Sequence, residues 1–255
     1  SNLLLEGSKD NILKFSATDL EVQVSLSVET KIENDFSITI AARKLFDITR
    51  SLPENSSINI QVEESKATVK AGKSKFNLQT LPIKDYPLMK TEKDDIEKIT
   101  VPQNQLKATL KYVDFAMAQQ DIRYYLNGLL FEVDGKKLNI VGTDGHRLSF
   151  NSINLSEASE KKQIIIPRKT VLELIKLLDD SSDAIEISLT KNQVTFDFNN
   201  ISLITKVIDG KFPDYNRVIP IGHENSFEID RMHILSAMQR ASILSNEKYR
   251  GIRVV

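Results

Sequence analysis

Residues 16–20 read SATDL and residues 141–145 read VGTDG; laid over each other they put Thr18 on Thr143 at an offset of 125. The same offset carries Asn2 onto Asn127, each followed by apolar residues (LLL and GLLF), and Arg43-Lys44 onto Arg168-Lys169. Each basic pair opens a helix-like run, RKLFDITRSL and RKTVLELIKLL. Tyr86-Pro87 and Phe212-Pro213 follow at 126. Four landmarks that hold nearly one spacing from Asn2 to Pro87 indicate two copies of one domain. Such a period has to be settled before any motif inside it is read.

A shorter period lies within each copy. VPQNQLKATLKYV starts at Val101-Pro102 and IPRKTVLELIKLL at Ile166-Pro167. In both, an extended run reaches a proline, and apolar residues then recur at helical spacing: Leu106, Leu110, Val113, and Val171, Ile175, Leu178. Proline suits the start of a helix, where its missing N–H has no intrahelical partner to lose. Comparable starts stand at Ala41-Ala42 and Ile229-Asp230. Between helices the apolar period is two, as in Ile58, Ile60, Val62, then Ala67, Val69, Ala71, then Phe76, Leu78. Copy two has Ile185, Ile187, Leu189, then Val194, Phe196, Phe198, then Leu203, with turn residues such as Asn192 and Asn199-Asn200 between runs. Each unit reads as strand, helix and about three antiparallel strands. Two β-α-β-β-β units make one α+β domain with its helices on one face of antiparallel sheets. The stretch from Phe227 onward resembles the opening strand and helix of copy two, so it reads as the start of a third copy. Copy one begins at Asn2 without that opening.

Composition narrows the function. A chain of 255 residues, 40% apolar, can build more than one core. It has no cysteine, which excludes disulfides, thiolate zinc sites and a cysteine nucleophile. No apolar run reaches the roughly 18 residues of a membrane span, and SNLLLEGSKD lacks the basic flank and apolar length of a signal peptide. The net charge of −1 is unevenly spread. Residues 42–52 carry net +2, 103–116 net +1, 167–178 net +2 and 230–244 net +1, so everything else carries −7. Basic helices on an acidic remainder can face a polyanion; each taken singly can equally be an ordinary solvated helix face. Binding of this kind would be to phosphate, insensitive to sequence and sensitive to salt. In QQDIRYY, Tyr124 and Tyr125 beside Arg123 can touch a backbone or stack on an unpaired base, or pack as strand residues.

Catalytic patterns are missing. His146, His223 and His233 form no HxH, HExxH or HxxE pattern. There is no glycine-rich phosphate loop and no GxSxG elbow. Glu92, Asp94 and Asp95, in TEKDDIEK, read as a solvated connection between the copies. His146 near Asp144 invites an acid–base reading, but nothing at fixed spacing supplies a nucleophile or an oxyanion site. Copy one has Leu20-Glu21-Val22 where copy two has Gly145-His146-Arg147. Both keep the Thr-Asp turn, which therefore serves the fold, while His146, Arg147 and Leu148 are what the second turn presents. A peptide-binding scaffold of repeated domains and a hydrolase built on His146 and Asp144 are the competing readings at this point.

TDGHRL (143–148), QDIRYYLNG (120–128), IPRK (166–169), DGKFPDYNRV (209–218) and SNEKYRG (245–251) together resemble the bacterial replicative sliding clamp, the beta subunit of DNA polymerase III. The resemblance implies a DNA-clamp fold of repeated domains: 1–92, lacking its opening strand and helix; 93–222, complete; and 223–255, the start of a third. It implies a non-catalytic processivity factor, cytoplasmic, with no cofactor and no metal. Its full-length form is a homodimeric ring around duplex DNA, held without regard to sequence; the 255 residues alone are not expected to close that ring. Partners would be the replicative polymerase subunit, the clamp loader and repair proteins, each bringing a short linear peptide. Carried over by motif, the peptide pocket comprises Leu126, Thr143, Gly145, His146, Arg147, Leu148, Pro213 and Val218. DNA contacts fall on Gln120, Arg123, Tyr124, Tyr125, Arg168, Lys169 and Arg217.

Overall fold

The structure is a computed structural model that describes residues 2–63, 65–92, 94–222, 224–245 and 251–254. His223 and most of SNEKYRG lie outside the described residues. The chain forms two compact units, Ser1–Phe212 and Pro213–Val255.

In the first unit, copy one runs β1 (Asn2–Ser8), β2 (Ile12–Thr18), β3 (Val22–Glu29), β4 (Phe36–Ala41), α1 (Ala42–Ser51), β5 (Asn59–Glu63), β6 (Lys66–Ala71) and β7 (Ser74–Leu81). Copy two runs β8 (Glu97–Pro102), α2 (Gln103–Val113), β9 (Gly128–Thr143), β10 (Leu148–Pro167), α3 (Arg168–Leu177), β11 (Ala184–Leu189), β12 (Gln193–Phe198) and β13 (Ile201–Lys206). Among the described residues all strand pairs are antiparallel. Eleven strands form one sheet in the order β5-β6-β7-β4-β1-β2-β3-β13-β12-β11-β8, and β9 pairs with β10 in a second. The copies are joined in the first sheet, where β3 pairs with β13 from Leu26↔Ile201 to Val22↔Thr205.

The helices start where the short period predicts. Pro102 and Pro167 are the last extended residues before α2 and α3, one place ahead of the first turn. The expected stripe of α2 is fully buried at Leu106, Leu110 and Val113. In α3 the deepest residues are Val171 and Leu174, with Leu178 just past the helix and Ile175 packed at the core's margin. Val171 and Leu178 of the predicted stripe are thus buried, and Leu174 takes the place expected of Ile175. Burying side chains of this size is worth roughly 1.5–3 kcal/mol each, so the stripe is what seats each helix. The core of copy two centres on Phe131 and Phe196, both inaccessible, their rings edge to face at 6.4 Å. Copy one has a smaller core of Leu5, Ile38, Ile40, Leu45, Ala67, Val69 and Leu78. There α1 rests on β1 and β4 and buries Leu45 alone, whereas α2 and α3 also pack on each other.

Two features depart from the sequence reading. β9 and β10, 16 and 20 residues long, span the stretch in which about three antiparallel strands were expected. Gly135 turns the chain at φ +57° within β9, so Asn139 donates to the Glu132 carboxylate at 3.2 Å, and β10 shifts register on either side of Ser159. Glu92 is also more than a solvated linker residue. Its carboxylate accepts from Thr190 at 2.7 Å and Asn192 at 2.9 Å, which lowers its pKa and fastens the connection to the β11–β12 turn. Upstream, the landmark Tyr86 donates its hydroxyl to the Ser16 carbonyl at 2.8 Å and the Asn2 carbonyl at 3.3 Å.

In the second unit, α4 (Arg231–Ser242) is capped by Asp230, whose Oδ1 accepts the His233 amide at 2.9 Å. No described helix is long and apolar enough to cross a membrane.

Candidate functional site

The site grows from the turn between β9 and β10. Thr143 Oγ1 donates to the Arg147 carbonyl at 2.7 Å and accepts the Gly145 amide at 3.1 Å. Asp144 Oδ1 accepts the amides of His146 at 2.9 Å and Arg147 at 3.0 Å, while Oδ2 pairs with Arg147 Nε at 3.0 Å. Burial works to raise the Asp144 pKa, but these hydrogen bonds outweigh it and leave the carboxyl below its ordinary value. Gly145 takes φ +86°, a conformation that glycine adopts without steric cost. Copy one builds the same turn: Thr18 Oγ1 donates to the Val22 carbonyl, and Asp19 Oδ1 accepts the amides of Glu21 and Val22. There the residue at positive φ is Leu20, at +79°.

The second component is the loop after α2. Asn127 closes its base, accepting the Asp121 amide at 3.0 Å and donating to the Asp121 carbonyl at 2.9 Å. Asp121 then grips Arg123: Nε to Oδ1 at 3.0 Å, Nη2 to Oδ2 at 2.8 Å, and the Arg123 amide to Oδ1 at 2.8 Å. Those hydrogen bonds, the side-chain ones first, hold the Asp121 carboxyl down at about 2. From there Arg123 Nη2 reaches the Asp144 carbonyl at 3.1 Å and ties loop to turn. Tyr124 and Tyr125 lie edge to face at 5.9 Å in the 3-10 turn Tyr124–Leu126, with Tyr124 exposed. Ile122, at the outer end of the loop, is 95% exposed.

Between loop and turn lies a groove of about 360 Å³. Phe115, Met117 and Ala118 supply apolar surface; Asp121, His146 and Arg147 supply polar edges. The Arg147 guanidinium lies 5.4 Å from the Phe115 ring centroid, a cation–π contact that with Asp144 fixes one rim. Arg168, in the first turn of α3, also lines the groove and donates to the Asp114 carbonyl at 3.4 Å. The arrangement is a mainly polar groove with one exposed apolar wall at Phe115, since Met117 and Ala118 are almost wholly buried. It offers no acid–base pair, because the Asp144 carboxylate is occupied by backbone amides and Arg147. Among the described residues no cluster of His, Cys, Asp or Glu could hold a metal ion.

Of the residues expected from sequence, His146 and Arg147 line the groove and Thr143, Gly145 and Leu148 belong to its turn, while Leu126 is buried beneath the loop. Gln120, Arg123, Tyr124 and Tyr125 share the loop. Arg168 and Lys169 open α3, and Lys169 pairs with Asp19 of copy one. Pro213, Arg217 and Val218 belong to the second unit, where all three are exposed and Arg217 pairs with Asp214 at 3.0 Å. Sequence reasoning missed Phe115, Met117, Ala118, Gln119 and Asp121. The available signal was that Phe115 and Met117 continue the apolar character of α2 past its end, out of helical register.

Two family models match the chain. The DNA polymerase III beta subunit, N-terminal domain, matches residues 1–90, and the DNA polymerase III beta subunit, central domain, matches 100–214. The beta sliding clamp of Pseudomonas aeruginosa is 43% identical over the whole chain, which spans 69% of that protein; that of Vibrio cholerae is 40% identical over 99% of the chain, again spanning 69%. Among solved structures, a P. aeruginosa DNA polymerase III beta subunit matches with a TM-score of 0.91 and 41% identity, covering 98% of this chain and 68% of that one. A P. aeruginosa clamp bound to griselimycin matches equally well.

Proposed function

This chain belongs to the family of the bacterial sliding clamp, the beta subunit of DNA polymerase III, and on that premise we propose how its own residues do the work. The chain is a non-catalytic processivity clamp of DNA replication.

The finer reading concerns contacts. In this reading the full-length protein closes as a head-to-tail homodimeric ring around duplex DNA in the bacterial cytoplasm. Its domains are divided as 1–92, 93–222 and 223–255. Basic residues at the starts of α1 and α3, Arg43-Lys44 and Arg168-Lys169, together with Gln120, Arg123, Tyr124, Tyr125 and Arg217, meet the phosphate backbone. Such contacts hold without reading sequence, and the ring slides. The groove beside His146 and Arg147, with Leu126, Thr143, Gly145 and Leu148, takes the apolar anchor of a short peptide from the polymerase, the clamp loader or a repair protein. The observation that carries this reading is the groove itself: an exposed apolar wall at Phe115, with Arg147 fixed at its rim by both Asp144 and Phe115. Griselimycin bound to the related P. aeruginosa clamp supports a ligand site on this fold.

The test uses the protein at the full length of its reading frame, loaded by its clamp loader onto nicked circular DNA. Retention in high salt on circles, with loss once the circle is linearised, is the expected result. Salt-sensitive loss from both forms would sink the encircling reading, because phosphate contacts weaken with salt whatever the DNA ends are.

A further inference from the structure

The Arg123 side chain serves two features at once. Its Nε and Nη2 face Asp121 at 3.0 and 2.8 Å, and Nη2 continues to the Asp144 carbonyl at 3.1 Å. Nη1 lies over Gly145, so close that a Cβ there would stand 2.7 Å from it. A guanidinium binds phosphate best through a two-pronged edge, and here Asp121 occupies the Nε–Nη2 edge. Through that edge Arg123 can hold Asp121 while bracing the Asp144–Gly145 turn, or it can take a phosphate, but not both.

We infer that Asp121 is a positioning residue that keeps Arg123 braced against the turn of the peptide groove and withholds it from DNA. The inference rests on the reading above, in which the groove takes a peptide and the loop lies toward DNA. Asp121 is acidic on a loop otherwise suited to an anionic partner, and its position is over-determined: its backbone is clamped at N and O by Asn127 and its carboxylate accepts three times from Arg123. A carboxylate held this firmly beside an arginine sets where the arginine points. The groove and the DNA surface therefore compete for one side chain.

The test is a double-mutant cycle in the full-length clamp, with Asp121→Asn, Arg123→Gln and both together. Two affinities are read: fluorescein-labelled griselimycin, and a labelled duplex of random sequence at low salt. Asp121→Asn is expected to weaken griselimycin about fivefold and to tighten the duplex about threefold, with the duplex salt slope steeper by about one contact. In the Arg123→Gln background the same change is expected to leave duplex affinity where it was. Equal tightening in both backgrounds would mean simple loss of a repelling charge and would overturn the inference, as would unchanged griselimycin affinity in Asp121→Asn. If Asp121→Asn does not melt cooperatively, Arg123→Lys decides. It keeps the charge but not the fork, so griselimycin should weaken, and wild-type griselimycin affinity in that variant overturns the inference. Failure of the wild-type clamp to bind griselimycin would instead defeat the peptide-groove reading on which all of this stands.

Discussion

Asp19 and Asp144 occupy the same place in the same turn of the two copies. Each accepts the second and third amides beyond it through Oδ1, and each is followed by a residue at positive φ, Leu20 at +79° and Gly145 at +86°. Only their second oxygens differ, Asp19 turning to Lys169 and Asp144 to Arg147. One turn thus serves as a link between copies in the first case and as the rim of a groove in the second.

That shared geometry gives opposite expectations for two substitutions. Leu20 is a bulky residue in a conformation that costs a branched side chain on the order of 1 kcal/mol. Leu20→Gly relieves that strain, partly offset by the greater freedom of glycine in the unfolded chain, and should stabilise by about 0.5 kcal/mol. Gly145→Ala meets both the strained φ and Arg123, and should lower stability. Urea titrations of both variants check the pair; a Gly145→Ala protein at least as stable as the wild type would contradict this account of the turn.

The core of copy two should tolerate truncation poorly. Phe196 is inaccessible and meets Phe131 edge to face. Phe196→Ala removes a ring from a site with no solvent to fill it, at an expected cost of about 3–5 kcal/mol by chemical denaturation. The same change at the exposed Phe46 on α1 should cost well under about 1 kcal/mol.

Acid should act on the Asp121–Arg123 pair only at low pH. The Asp121 carboxyl is lowered from 3.8 to about 2, chiefly by hydrogen bonds from Arg123. A depressed carboxylate contributes fully above its unfolded-state value and loses that contribution as pH falls through the folded one. The window therefore runs from roughly pH 4 down to about 2. Thermal melts of wild type and Asp121→Asn should differ by a constant amount above roughly pH 5 and converge as pH approaches about 2. Convergence already near neutral pH would show that the pair is not intact in solution.

Lys44 in the first turn of α1 matches Lys169 of α3 in the repeat, but Lys169 is paired with Asp19. Lys44→Glu should lower duplex affinity at low salt and reduce the salt slope by about one, with little effect as salt approaches roughly 1 M. Lys169→Glu should do the same and also weaken the fold, since it turns the Asp19 contact into a repulsion. Salt titrations of duplex affinity, paired with melting temperatures, separate the two.

The sequence by itself determined whatever depends on local period. Thr18 over Thr143 and Arg43-Lys44 over Arg168-Lys169 revealed the repeat. The spacing of Leu106, Leu110 and Val113 specified the buried face of α2, because helical and extended backbones each put one fixed stripe toward the core. The Thr-Asp turn was legible because its hydrogen bonds run between residues at most four apart. Tertiary structure alone decided the rest. That β3 of one copy pairs with β13 of the other follows from strand ends meeting across nearly the whole chain, which no local period records. The groove likewise needs Phe115 and Met117 from one segment to face His146 and Arg147 from another, and Arg123 to cross to the Asp144 carbonyl. Residue type narrowed what each of these could do; only the packing of the sheets beneath them brought them within reach of one another.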